Sequence, residues 1–162
     1  MAKWIKKKKI GRVDIADFPH LKLTDVPVKI DTGAYTSSIH CSNIKEVTKN
    51  GEQFITFNIL DETHLNYHER VFEVGEFFEK VIRNSFGTEE KRYIIKSNIK
   101  LYGKKFDLEL ALTDRSDMKY PILLGRKLLS DIFIVDVSKT DLSYKAKQRR
   151  EKKKQATDTE EQ

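Results

Sequence analysis

Two stretches that alternate apolar and polar residues, 38–49 and 53–60, flank the dipeptide Asn50-Gly51. Both turn residues accept positive φ, so the segment reads as a tight hairpin of type I′. Similar short segments recur at 9–17, 27–31, 69–74, 80–84, 92–99, 105–113, 122–124 and 132–136, with Ser85-Phe86-Gly87 and Tyr102-Gly103 punctuating the later pairs. Only residues 126–131, RKLLSD after Gly125, read as a helix. So many short strands must hide their edges, and the simplest way is closure. The expected fold is all-β, a closed six-stranded barrel with one short C-terminal helix.

A chain of 162 residues fits one domain. No apolar run approaches the ~20 residues that span a bilayer. The N-terminal lysines lead into IGRVDIADF, which lacks the apolar centre of a secretory signal. The lone Cys41 has no intrachain disulfide partner, and these features together point to the cytoplasm. The net charge of +6 sits in the tails: residues 1–10 carry five lysines, and 139–162 carry eight Lys or Arg against five acids. The remainder holds 18 basic and 20 acidic groups. The boundaries that follow are a basic extension at 1–8, a folded domain at 9–138 and a charged, disordered tail at 139–162. Nucleic-acid contact, if any, is confined to those tails.

The residues with chemical promise are Asp31-Thr32-Gly33, which end the run VPVKI. A carboxylate at a strand end, followed by a glycine that lets backbone approach it, is one way to present an acid at the floor of a cleft. An ordinary β-turn uses the same triplet, so the context decides. That context is YPILLGRKLLSDIFIVD at 120–136: an apolar pair, a glycine and a short amphipathic helix. Ile122 to Leu124 can pack beneath the Asp31 turn while Leu128 and Leu129 close the core.

IDTGA followed by ILLGRKLL resembles the two signature segments of retropepsins, the retroviral-type aspartic proteases. A closer resemblance covers nearly all of 9–138. KIGRVDIADFP, VKIDTGAYTSSIHC, NSFGTEEKRYIIK and LALTDRSDMKYPILLGRKLLSDIFIVD are similar to the bacterial and archaeal family labelled ATP-dependent zinc proteases, whose fold is retropepsin-like. The resemblance implies a link to ATP-grasp ligases that add glutamate to a ribosomal protein. The family label itself has no counterpart in the residues: neither H-E-x-x-H nor G-x-x-x-x-G-K-[ST] occurs. Tyr35 and SIHC depart from the family's more usual residues, which bears on substrate preference.

By that resemblance Asp31 is the catalytic carboxylate, Thr32 locks two active-site turns through its hydroxyl, and Gly33 aims a backbone N–H at the carboxylates. The chemistry needs two carboxylates about 3 Å apart sharing one proton. The chain has one D-T-G, so the second Asp31 is expected from a twofold-related copy, making a homodimer part of the mechanism. Ala34 lacks the hydroxyl that a Ser or Thr would offer an ionised carboxylate, and should leave the pair protonated closer to neutral pH. Ser85, Phe86 and Gly87 are the expected tip of a substrate-covering flap. Residues from about 53 to 74 would be extra strands inserted before it.

Arg92, Arg115 and Arg126 fall on basic family positions and would suit an acidic, glutamate-extended peptide, although structural ion pairs such as Arg92 with Glu90 compete for them. No cofactor or metal is expected. His64 and His68 have the spacing of one helix face but sit between strand-like segments, His40 and Cys41 point to opposite faces of a strand, and His20 lies in a loop. The expected activity is an aspartic endopeptidase acting on a peptide or protein. The alternatives are a non-catalytic module that holds a ribosomal or ligase partner, and a zinc-dependent amide hydrolase.

Overall fold

The computed structural model describes residues 6–83, 86–114 and 119–160. Six strands come first: β1 (Lys8–Ile10), β2 (Val13–Phe18), β3 (Leu23–Ile30), β4 (Ser37–Lys49), β5 (Glu52–Ile59) and β6 (Val71–Val74). They are followed by β7 (Phe77–Arg83), β8 (Glu89–Leu101), β9 (Lys104–Thr113), β10 (Ile122–Leu124), α1 (Arg126–Leu129), β11 (Phe133–Val135) and α2 (Leu142–Glu160). In the main sheet the neighbours run β10-β3-β2-β8-β9-β4, and β4 pairs back onto β10. Six strands therefore close into a ring. The three-residue β10 is its seam, parallel to β3 on one side and antiparallel to β4 on the other.

Alternation selects which face points inward. In β2, Asp14, Ala16 and Phe18 are buried while Val13, Ile15 and Asp17 are only half-buried. Val26 and Val28 of β3, Ile39 of β4, Ile99 of β8 and Leu110 of β9 meet Ile122 and Leu124 in one core, all fully buried. Each such aliphatic side chain contributes roughly 1.5–3 kcal/mol. Asn50 and Gly51 make the expected hairpin turn between β4 and β5, with φ of 51° and 80°. Strands β5 and β6 extend outward from β4 as the extra layer expected before the flap, and β7 adds to β8.

Some boundaries differ from the sequence reading for physical reasons. Segment 9–17 is two strands, because the chain at Gly11 runs so close to Lys139 that an added Cβ would lie 2.2 Å from its carbonyl oxygen. There β1 leaves to pair with β11, while β2 enters the barrel. Strand β3 begins at Leu23 rather than 27, since Pro27 precedes the part of β3 that β10 pairs and so does not interrupt it. The β7–β8 hairpin is longer than expected at both strands, pairing from Phe77 with Ile95 to Arg83 with Glu89.

The tail corrects an expectation outright. Residues 142–160 are not a disordered extension but a 19-residue helix. Lys, Arg, Gln, Glu and Ala are good helix formers, yet such a helix is marginal alone. Its first turn is held by the barrel: the buried carboxylate of Asp14 accepts the N–H groups of Ser143 (3.0 Å) and Tyr144 (3.1 Å), besides that of Ile15. One turn on, Lys147 bridges Asp17 (3.0 Å) and Asp25 (2.7 Å). Asp14→Ala should therefore cost about 1–2 kcal/mol, the usual loss for a helix cap, and raise hydrogen exchange at Ser143 and Tyr144. Unchanged protection at those amides would mean that the barrel does not hold the helix.

Candidate active site

Strands β3 and β10 run parallel with Ile30 opposite Leu124, so Asp31 and Gly125 leave adjacent strands at the same end. The Asp31 N–H donates to Leu124 O (2.9 Å), which fixes the start of the turn. Within it, Ala34 N–H donates to Asp31 O (3.3 Å), and Gly33 N–H donates to the Asp31 carboxylate at Oδ1 (3.0 Å). A Cβ on Gly33 would sit 3.3 Å from that same oxygen, tighter than ordinary contact. The glycine thus brings backbone against the acid, as the sequence suggested.

The second loop is laced to the first. The start of α1 has backbone donors with no partner inside the helix, and two of them reach across: Arg126 N–H to Ala34 O (2.8 Å) and Lys127 N–H to Tyr35 O (2.9 Å). Gly125 N–H donates to the buried Ser37 hydroxyl (3.0 Å). Arg126 Nη1 also donates to Thr32 O (2.9 Å). The two loops are so close that a Cβ on Gly125 would meet Tyr35 O at 2.7 Å and Ala34 O at 2.9 Å. Leu128 and Leu129 close the core beneath, as expected.

Asp31 lies in the wall of a cleft of ≈ 610 Å³ that it shares with Gly33, Ala34, Arg92 and Arg126, and with Lys80 and Arg83 of β7. The cleft is strongly cationic. Arg92 is mostly buried and pairs with Glu90 (3.1 Å), while its Nε is buried with no hydrogen bond among the described residues. Arg83 pairs weakly with the exposed Glu89 at 3.4 Å. The Tyr35 ring lies 5.3 Å from Lys80 Nζ and 5.9 Å from the Arg126 guanidinium carbon, within cation–π range of both.

The sequence reading is met unevenly. Asp31, Gly33, Ala34, Arg92 and Arg126 share one cleft; Thr32 is exposed beside it. Phe86, which is exposed, and Gly87, with φ of 79°, lie in the β7–β8 connection and not in the cleft wall, which the body of β7 supplies instead. Ser85 and Arg115 fall outside the described residues. Lys80, Arg83 and Ser37 were not singled out. The first two read simply as strand residues, and a lone serine at the start of a strand carries no signal of its tertiary partner.

The histidines are placed elsewhere. Residues 61–70 are turns and irregular backbone rather than a helix, so the spacing of His64 and His68 does not align them. His64 Nδ1 accepts the Asn66 N–H (3.1 Å), and the His68 ring leans on Phe72. His40 Nε2 meets Asp61 Oδ2 at 2.5 Å. Among the described residues, no three His, Cys, Asp or Glu side chains come together as metal ligands do. The Thr63 hydroxyl and amide, and then His40, hold the Asp61 carboxyl down to about 2. A folded value below the ordinary 3.8 stabilises the turn above about pH 4, and that stabilisation is lost as pH falls through about 2. Carboxyl ¹³C titration should place Asp61 well below 3.8, and Thr63→Ala should move it back up; a native midpoint near 3.8 would contradict this.

Residues 10–146 match the family described as RimB-like, retropepsin-like aspartic endopeptidase RimB. A relative from Desulfotalea psychrophila (strain LSv54 / DSM 12343), named "Probable alpha-L-glutamate ligase", is 34% identical over 84% of this chain and 29% of its own length. A relative of the same name from Shewanella pealeana (strain ATCC 700345 / ANG-SQ1) is 36% identical over 81% of this chain and 29% of its own. The chain thus spans less than a third of these relatives. The crystal structure of Lpg0085 from Legionella pneumophila subsp. pneumophila str. Philadelphia 1, a protein with unknown function, superposes with a TM-score of 0.63 at 29% identity, covering 85% of this chain and 99% of that one. No helix among the described residues is long and apolar enough to cross a membrane. With the D-T-G turn, the six-strand ring and the match over 10–146 in agreement, the chain belongs to the RimB-like family of retropepsin-like aspartic endopeptidases.

Proposed function

We propose that the protein is an aspartic peptidase whose dyad is Asp31 from two copies, acting on acidic, glutamate-bearing segments of a protein. The observation that carries this reading is the Asp31 turn itself, with the Gly33 N–H on the carboxylate and the α1 loop clamped against it. In the reaction one carboxylate takes a proton from water as its oxygen attacks the scissile carbonyl carbon. The other, protonated, gives its proton to the carbonyl oxygen, and collapse of the tetrahedral intermediate breaks the C–N bond as the amine is protonated. Two carboxylates about 3 Å apart are needed, which is why a second copy enters.

The substrate class rests on charge. Lys80, Arg83, Arg92 and Arg126 face a cleft in which Asp31 is the acid. Arg92, in the cleft wall with Asp31, is suited to a glutamate carboxylate. The names of the relatives join the same fold to glutamate chemistry, and they support a competing reading in which this domain holds a glutamate-bearing chain without cutting it.

A glutamate-extended peptide, followed by mass spectrometry, separates the two. Cleavage should be insensitive to chelators, and Arg92→Ala should raise KM for the acidic peptide about tenfold or more, as the loss of a charged hydrogen bond implies. Binding without cleavage favours the holding module, chelator-sensitive cleavage the zinc hydrolase. An unchanged KM removes the acidic-substrate assignment.

A further inference from the structure

The two basic tails of the sequence are far apart in the chain, but the fold brings them to one place. Tyr102, at the β8–β9 turn, is where they meet. Its ring lies 4.4 Å from Lys8 Nζ, its hydroxyl donates to Lys9 O (2.6 Å), and its N–H donates to the Ser143 hydroxyl at the start of α2 (2.9 Å). At the next residue, Gly103, the Arg150 guanidinium of α2 lies about 3.4–3.6 Å from where a Cβ would be. Arg150 shares a groove with Lys100 of β8, and Lys104 is exposed just beyond the turn.

The result is one broad cationic surface built from β1, the β8–β9 turn and α2. Its positive charge is not consumed internally. Among the described residues Lys147 is the α2 cation in an ion pair, taking up both Asp17 and Asp25, while Lys9 has only a 3.9 Å contact with Asp136. Arg149, Arg150 and Lys152 to Lys154 are exposed, with Glu151 as the acid among them. Asp14 anchors this surface rigidly at the helix start.

We infer that this surface binds the phosphate backbone of double-stranded RNA. A cluster of exposed cations without ion pairs among the described residues, on an anchored helix, is the footprint of a polyanion. Residues 148–160 carry no large apolar side chain, so the helix has nothing to insert into a bilayer. They carry no aromatic ring either, so single-stranded bases have no stacking platform on this helix. Up to Arg150 the helix, about 28 Å long in all, has the β8–β9 turn at its flank, and helix and turn together are wider than a B-form major groove about 12 Å across. It suits the wide, shallow minor groove of an A-form duplex and the phosphates on either side. The surface lies on β1, the β8–β9 turn and α2, none of which lines the Asp31 cleft, so RNA contact there does not require it.

The test is fluorescence anisotropy with the full chain and a labelled RNA duplex of mixed sequence. Binding at 50 mM salt should weaken roughly 10³-fold by 200 mM, as release of counterions from about six phosphates requires. The triple variant K152Q/K153Q/K154Q should lose at least about tenfold in affinity and flatten the salt slope by about three. Glutamine preserves helix propensity, and circular dichroism checks that α2 is intact. The pair Lys8→Gln and Lys104→Gln, which leaves α2 unaltered, should weaken binding as well and lower the slope by about two. Three results would overturn the inference. One is no RNA binding at 50 mM salt. Another is wild-type affinity in both variants. The third is equal or tighter binding of a DNA duplex of the same sequence, a poly-glutamate peptide or anionic vesicles.

Discussion

Asp31→Asn is expected to lower peptide cleavage by about 10²–10⁴-fold, the range that a positioned acid or base supplies, while leaving fold and self-association intact. The reason lies in what the amide can and cannot replace. Its carbonyl oxygen still accepts the Gly33 N–H that now reaches Oδ1 at 3.0 Å, and the backbone bond from residue 31 to Leu124 is untouched. It can neither take a proton from water nor, in the proposed dyad, share one with a second Asp31. The melting temperature should hardly move, and sedimentation should report the same assembly. Mixing wild-type chains with an excess of D31N chains sharpens the test. If each site needs Asp31 from two copies, the variant acts as a poison and activity falls faster than simple dilution. Linear dilution would indicate a site complete within one chain, and full activity in the pure variant would end the aspartic mechanism.

Gly125→Ala should damage stability and activity together. Its φ of −97° is accessible to any residue, so the constraint is space and not backbone conformation. The added methyl would lie 2.7 Å from Tyr35 O, 2.9 Å from Ala34 O and 2.9 Å from the Thr36 carbonyl carbon. All three are backbone atoms, which cannot swing aside as a side chain would. Relief requires the two loops to separate, which breaks the bonds from Arg126 and Lys127 to Ala34 and Tyr35 and strains that from Gly125 to Ser37. Overpacking of this kind costs typically 1–3 kcal/mol, and a shift of about 1 Å at a reacting group costs on the order of 10²-fold in rate. Denaturant unfolding should report the first effect and peptide cleavage the second. A variant as stable and active as wild type would mean that the loops are not clamped as described.

These outcomes depend on features that were unevenly legible. Alternation and the Asn50-Gly51 turn exposed the β class because they are local signals, and the pairing of IDTGA with ILLGRKLL exposed the loops because each motif is short and contiguous. Other features depend on residues distant in sequence. Nothing near Lys80 or Arg83 reveals that β7 will line the Asp31 cleft, since that follows from its register on β8. The helical tail was missed for a related reason. Its composition alone is that of a solvated extension, and what stabilises it is a buried carboxylate 129 residues upstream.

Closure through β10 has a kinetic consequence. The strand is three residues long, yet it joins β3 to β4, and the loop it delivers bonds to Ser37 across 88 residues of chain. Contacts of such sequence separation form slowly, because loop entropy is lost before they return any stabilisation. Until β10 docks, the nascent sheet has an open seam and the Asp31 carboxylate has no facing loop. A chain still emerging from the ribosome therefore carries its acid unassembled: the cleft and the finished barrel arrive in the same step.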